Sequence, residues 1–155
     1  MKDGYKVKIC GTTSVEDALL AGHEGADFVG VVVETEFSKR SLSIERAAEI
    51  FYASPLPTVA LVYQMKEERI HYLIEKLKPY AIQFLSQEDY DVVRRLKSAY
   101  PNIYLWQSIH LPCAGNEFDL EKVKGTVEGY MQAGIDMLLY DTAAVVEGVK
   151  KFGGT

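Results

Sequence analysis

Short apolar runs alternate with amphipathic stretches along the chain, recurring roughly every 25 residues. The apolar runs are Tyr5–Ile9, Phe28–Val33, Thr58–Tyr63, Tyr80–Phe84, Ile103–Ser108 and Asp136–Tyr140. They are continuous and rich in Val, Ile and Tyr, as strands covered on both faces are, and they lack the alternation of a half-exposed strand. Between them the spacing predicts helices over Val15–Glu24, Ile44–Tyr52, Lys66–Lys76, Gln87–Ser98 and Leu120–Ala133. Ser14 and Ser43 are placed to cap the first two, and Glu16 and Asp17 suit the positive end of a helix dipole. The third carries Ile70, Leu73, Ile74 and Leu77 on one face. Two pieces, Glu24–Asp27 and Gln132–Asp136, put a glycine after a helix and an aspartate before a strand. This alternation predicts an α/β fold with parallel strands and crossover helices. A GxGxxG turn after the first strand, the usual mark of a doubly wound sheet, is absent, and Cys10-Gly11-Thr12-Thr13 stands there.

With 155 residues, no linker and no break in composition, the chain is expected to form one domain over 1–155. The net charge is −5, and the basic residues are scattered apart from Arg94, Arg95 and Lys97. That balance argues against a nucleic-acid partner, which needs clustered cations. The opening residues are polar and lead straight into a strand, and no apolar run approaches the ~20 residues of a membrane span. The two cysteines, Cys10 and Cys113, have neither disulfide-framework nor metal-ligand spacing. A reducing cytoplasm, without membrane or metal, is the expected setting.

Residues just past strand C-termini are the first candidates for chemistry in a barrel of parallel strands. Cys10 ends the first strand and is a candidate base or nucleophile, or alternatively a small core cysteine. Asp141 ends the sixth strand and serves either as a general acid or as a loop cap. Arg40, in the loop after the second strand, offers a fork for carboxylate or phosphate, or is a solvated surface charge. Gln83 lies within the fourth strand and implies a polar network or a ligand contact. His23, His71 and His110 form no triad or metal pattern, and Cys113 reads as incidental.

These residues sit in motifs that together resemble the phosphoribosylanthranilate isomerase family. Val7–Val33, VKICGTTSVEDALLAGHEGADFVGVVV, is close to the family's opening. Ser38–Ser43 is similar to its SKR loop, Ile82–Leu85 stands where VQLHG stands, Met137–Thr142 is similar to LLLDT, and the closing FGGT looks like the start of GGTGKT. The resemblance runs along the whole chain in order.

It implies a TIM-type (β/α)8 barrel with about six βα units present, an incomplete barrel lacking its last two strands and their phosphate-gripping loops. It implies Cys10 as general base and Asp141 as general acid in an Amadori rearrangement of a phosphorylated, aminated sugar, without cofactor or metal. Arg40, Gln83, Gly153 and Gly154 match substrate-contacting positions. Three features depart from the family. Leu85-Ser86 replaces HG, Gln107–His110 replaces the usual basic end of strand five, and the motifs stop within GGTG. That stop favours a piece of a longer enzyme over a naturally short homologue. In a short homologue, the tail Val145–Thr155 forms a helix over an open edge, or two chains pair edge to edge as a homodimer. The alternative function is a non-catalytic, barrel-derived binding or assembly protein.

Overall fold

The computed structural model describes residues 3–112, 118–146 and 149–152, with side chains described as far as Thr142. The chain divides into two compact units, Met1–Leu85 and Ser86–Thr155.

In the first unit, β1 (Lys8–Cys10), β2 (Phe28–Val32), β3 (Thr58–Val62) and β4 (Ala81–Phe84) pair in parallel in chain order. Parallel strands need long crossovers, and α1 (Val15–His23), α2 (Ile44–Ala53) and α3 (Glu67–Leu77) supply them. β2, β3 and β4 are buried along their whole length, as their unbroken apolar runs predict. The helices turn Ala18, Ala47, Ile50, Ile70 and Leu73 inward, and each such leucine or isoleucine contributes about 1.5–3 kcal/mol by leaving water. Ser14 caps α1 by accepting from the Asp17 amide at 3.1 Å, and Ser43 caps α2 from Arg46 at 3.2 Å.

Register fixes which side chains share a face, because in-register partners of parallel strands point the same way. Cys10 pairs with Gly30, Val32 with Leu61, and Leu61 with Gln83. Lys8, Cys10, Gly30, Leu61 and Gln83 therefore lie on one face of this sheet. Across a flat sheet β1 and β4 would stand about 14 Å apart, beyond the reach of a lysine. Lys8 Nζ nevertheless donates to Gln83 Oε1, so the four strands curl toward this face.

In the second unit, β5 (Tyr104–Pro112) pairs in parallel with β6 (Met137–Val146). α4 (Tyr90–Ala99) and α5 (Leu120–Ala133) accompany them. β7 (Val149–Phe152) returns antiparallel along β6, pairing Ala143 with Phe152 and Val146 with Val149. This corrects the expected tail helix: part of Val145–Thr155 is strand, laid along the edge of β6. Val145, Val146, Val149 and Phe152 are residue types that favour strand over helix. α4 starts at Tyr90 rather than Gln87, because Asp89 is the cap, accepting from the Asp91 amide at 2.7 Å. β1 starts at Lys8 rather than Tyr5, whose ring is 77% exposed. Among the described residues, no helix is long and apolar enough to cross a membrane.

One device occurs in both units. Gly25 and Gly134 take left-handed φ values of 83° and 110° after their helices. Two residues on, Asp27 Oδ2 accepts from the Val7 amide at 2.8 Å, and Asp136 Oδ2 accepts from the Leu105 amide at 2.7 Å. The aspartate amides donate back to the same residues' carbonyls, each at 2.8 Å. Each aspartate thus clamps the start of its own strand to the start of a neighbour, and Lys97 Nζ holds Asp136 Oδ2 at 2.8 Å.

Asp136→Ala is expected to lower unfolding stability by about 2 kcal/mol, because it strips partners from Lys97 and the Leu105 amide. Urea titration measures it, and an unchanged midpoint would refute the clamp. A second prediction concerns Tyr130, which packs edge-on against the Tyr90 ring at 4.8 Å and donates to Glu88 O at 2.9 Å. Burial first, then the Tyr90 phenol, push its pKa from 10.0 up to about 12. The folded chain thus keeps a proton that the unfolded chain releases near 10, so this contribution is intact below pH 10 and is lost between 10 and about 12. Urea midpoints across that window should fall more steeply for the wild type than for Tyr130→Phe; parallel curves would contradict this.

Candidate active site

β1 is too short to bury both of its faces, and this leaves Cys10 exposed at its C-terminal end. The thiol is therefore not a core cysteine. Immediately after it the chain turns on Gly11, with φ of +80°, a conformation that favours glycine. The Gly11 and Thr12 amides both donate to Gly30 O, at 2.8 and 3.0 Å, which pins the turn to β2.

Gly11 is needed for a second reason. A Cβ added there would lie 2.7 Å from Arg40 Cζ, so the guanidinium rests directly over the glycine. From that position Arg40 Nη1 donates to Cys10 O at 3.3 Å. The loop that carries Arg40 is closed at its base by backbone bonds, Glu34 N to Leu42 O and Leu42 N to Val32 O, both at 2.9 Å. Ser41 Oγ also accepts from the Thr35 amide at 2.7 Å. The structure therefore brings Cys10 and Arg40 together although 30 residues separate them.

Gln83 is buried, and its carboxamide oxygen takes the Lys8 ammonium on the face that Cys10 shares. Burial pushes the Lys8 ammonium below the usual lysine range, and its electrostatic interaction with Cys10 acts in the opposite direction. Pattern reading passed over Lys8. Its place two residues before Cys10, on the same strand face, is the signal that could have found it.

Between β1 and α1 lies a cavity of about 460 Å³, lined by Ile9, Cys10, Thr12, Asp17, Leu20 and Ala21 among others. Thr12 is 4% exposed, and among the described residues its hydroxyl has no hydrogen-bond partner. A second cavity of about 530 Å³ lies past β2 and β3, among Glu34, Phe37, Tyr63, Gln64, Lys66 and Arg69. Arg69 binds Glu34 with two donors, at 2.9 and 2.6 Å, and this bond holds the Glu34 carboxyl below its usual range.

In the second unit Asp141 is exposed, and its Oδ1 accepts from the Thr142 amide at 2.8 Å. It does not end its strand: β6 continues to Val146, and Asp141 stands in register with His110 of β5, which also lies within its strand. Pairing with β5 carries β6 on to Ala143, and pairing with β7 carries it from Ala143 to Val146. Gly153, Gly154 and Cys113 lie outside the described residues. Among the described residues, no group of His, Cys, Asp and Glu could hold a metal ion.

No family model matches the chain. Individual proteins do. Over 146 residues it is 33% identical to the N-(5'-phosphoribosyl)anthranilate isomerase of Methanocella arvoryzae, an alignment covering 92% of this chain and 64% of that protein. The corresponding isomerase of Methanocaldococcus jannaschii is 29% identical over 99% of this chain and 69% of its own. The chain thus spans just under two thirds of the Methanocella arvoryzae relative. Among solved structures, the isomerase from Thermococcus kodakaraensis superposes with a TM-score of 0.75 at 28% identity, over 92% of this chain and 67% of that one. An isomerase in complex with reduced 1-(o-carboxyphenylamino)-1-deoxyribulose 5-phosphate gives 0.72 at 26% identity, over 88% of this chain and 64% of that one. Sequence and fold agree with the motifs: the chain is similar to the phosphoribosylanthranilate isomerases and shares their α/β fold over most of its own length.

Proposed function

We propose that the chain carries the catalytic pair of a phosphoribosylanthranilate isomerase. The observation that carries this reading is the exposed thiol of Cys10 at the C-terminal end of β1, with the Arg40 guanidinium folded over Gly11 onto its carbonyl. A proton acceptor thus stands beside a fork suited to a substrate carboxylate.

The reaction is an Amadori rearrangement of N-(5'-phosphoribosyl)anthranilate. Asp141, as acid, protonates the ribose ring oxygen, and the ring opens to an iminium. Cys10, as base, removes the C2′ proton, and the enol-amine tautomerises to the ketone. Proton transfer of this kind contributes about 10²–10⁴-fold to rate and needs one group protonated and one deprotonated. Arg40 faces the anthranilate carboxylate, Gln83 lines the mouth of the site, and Gly153 and Gly154 contribute to substrate binding. The isomerase complex with a reduced phosphosugar supports this substrate class. The reading extends to a cytoplasmic setting and to one domain that is part of a (β/α)8 barrel. It also includes a homodimer, since a solved relative consists of monomers generated from the dimeric isomerase of Thermotoga maritima.

The gene encoding this chain should restore tryptophan-independent growth to an isomerase-deficient strain. Cys10→Ala and Asp141→Asn should each abolish it, with kcat/KM down by about 10²–10⁴-fold in assays of the purified protein. Growth undiminished by both substitutions would discard the mechanism.

A further inference from the structure

Arg40 is an exposed side chain on a loop, yet its guanidinium stands over Gly11, 3.3 Å from Cys10 O. For that contact to persist the loop itself must be held, because ordering a chain segment costs conformational entropy. Glu34 stands where β2 gives way to this loop. Its φ of 46° lies in the left-handed region, which a residue with a side chain adopts when its surroundings compensate. The compensation comes from α3. Arg69 donates to the Glu34 carboxylate through Nε at 2.9 Å and Nη2 at 2.6 Å, a planar fork on a planar acceptor. The Tyr72 ring, its centroid 4.6 Å from Arg69 Cζ, keeps the guanidinium oriented. The Arg69 bond is the main influence that keeps the Glu34 carboxyl ionised, and the Ile44 backbone amide at the start of α2 acts in the same direction.

From Glu34 the restraint reaches Arg40 by two short paths. The next residue, Thr35, donates its amide to Ser41 Oγ at 2.7 Å, and Ser41 adjoins Arg40. The Glu34 amide itself closes the base of the loop on Leu42 O at 2.9 Å. Midway, the Phe37 ring meets Tyr63, just past β3, edge-on at 4.8 Å. We propose that Arg69 is a positioning residue of this site: by gripping Glu34 with both arms of its guanidinium, it fixes the loop after β2 so that Arg40 stays over Gly11, in place for a substrate carboxylate. This rests on the reading of Arg40 as the carboxylate fork.

The test has two arms. Amide hydrogen exchange, resolved by NMR, reads the loop without substrate, so it stays decisive if the isomerase reading fails. In Arg69→Gln the Thr35 and Ser41 amides should exchange about three- to fivefold faster, the scale of an ion pair whose side chains are 41% and 28% exposed. The Ala60 and Leu61 amides of β3 should keep their rates. Glu34→Gln, which leaves Arg69 on Tyr72, should act alike and serves in its place if the Arg69 variant does not fold. Unchanged Thr35 and Ser41 rates in a folded variant would overturn the proposal. Equal acceleration in β3 would overturn it too, since that marks general loosening. The second arm is kinetic. A carboxylate held equally in ground and transition states governs KM and not kcat. Arg69→Gln should therefore raise KM about three- to fivefold at unchanged kcat, and should add nothing when Arg40 is already alanine. A loss confined to kcat, or a further loss on top of Arg40→Ala, would show that Arg69 does not act through Arg40.

Discussion

A lysine ammonium drawn out of water must find an acceptor, and in this chain it finds one three strands away. The Lys8–Gln83 bond does two things at once. It satisfies a polar group inside an otherwise apolar sheet, and it requires β1 and β4 to curl toward each other, because a flat arrangement would leave them out of reach. The same curl gathers Cys10 and Gly30 onto a concave face. The chemistry proposed for the thiol depends on that curvature as much as on the thiol itself.

The rest of the first unit supports the position of that face. Buried β2 and β3 set the register, and the bonded base of the loop after β2 delivers Arg40 to Gly11. Gly11 is the hinge of this arrangement. Its left-handed φ turns the chain away from β1, and its missing side chain leaves room for the guanidinium. In both units an aspartate after a left-handed glycine clamps neighbouring strand starts, so the opposite ends of the strands are free to carry side chains with chemical work.

Much of this was legible in the sequence, for identifiable reasons. Unbroken apolar runs located β2, β3 and β4 almost to the residue, and the serine caps fixed the starts of α1 and α2. Reading faltered where local pattern carries little information. Asp89 caps α4 within a polar stretch in which several residues could do so. β6 runs past Asp141 because β5 pairs with it as far as Ala143 and β7 from there to Val146, and pairing is not written in periodicity. Lys8 was invisible as a site residue, since a lysine at the start of a strand ordinarily reads as a solvated flank. Only the curl of the sheet brings it to Gln83. Cys10 and Arg40 were found as separate candidates, and their proximity came from the turn at Gly11.

The most direct measurement is a crystal structure of this chain grown with reduced 1-(o-carboxyphenylamino)-1-deoxyribulose 5-phosphate, the ligand held by a solved relative. The account predicts the sugar C2′ within about 3.5 Å of Cys10 Sγ, near-attack distance for proton transfer, with the anthranilate carboxylate on Arg40. A ligand bound away from the C-terminal end of β1, with Cys10 facing only water, would contradict it.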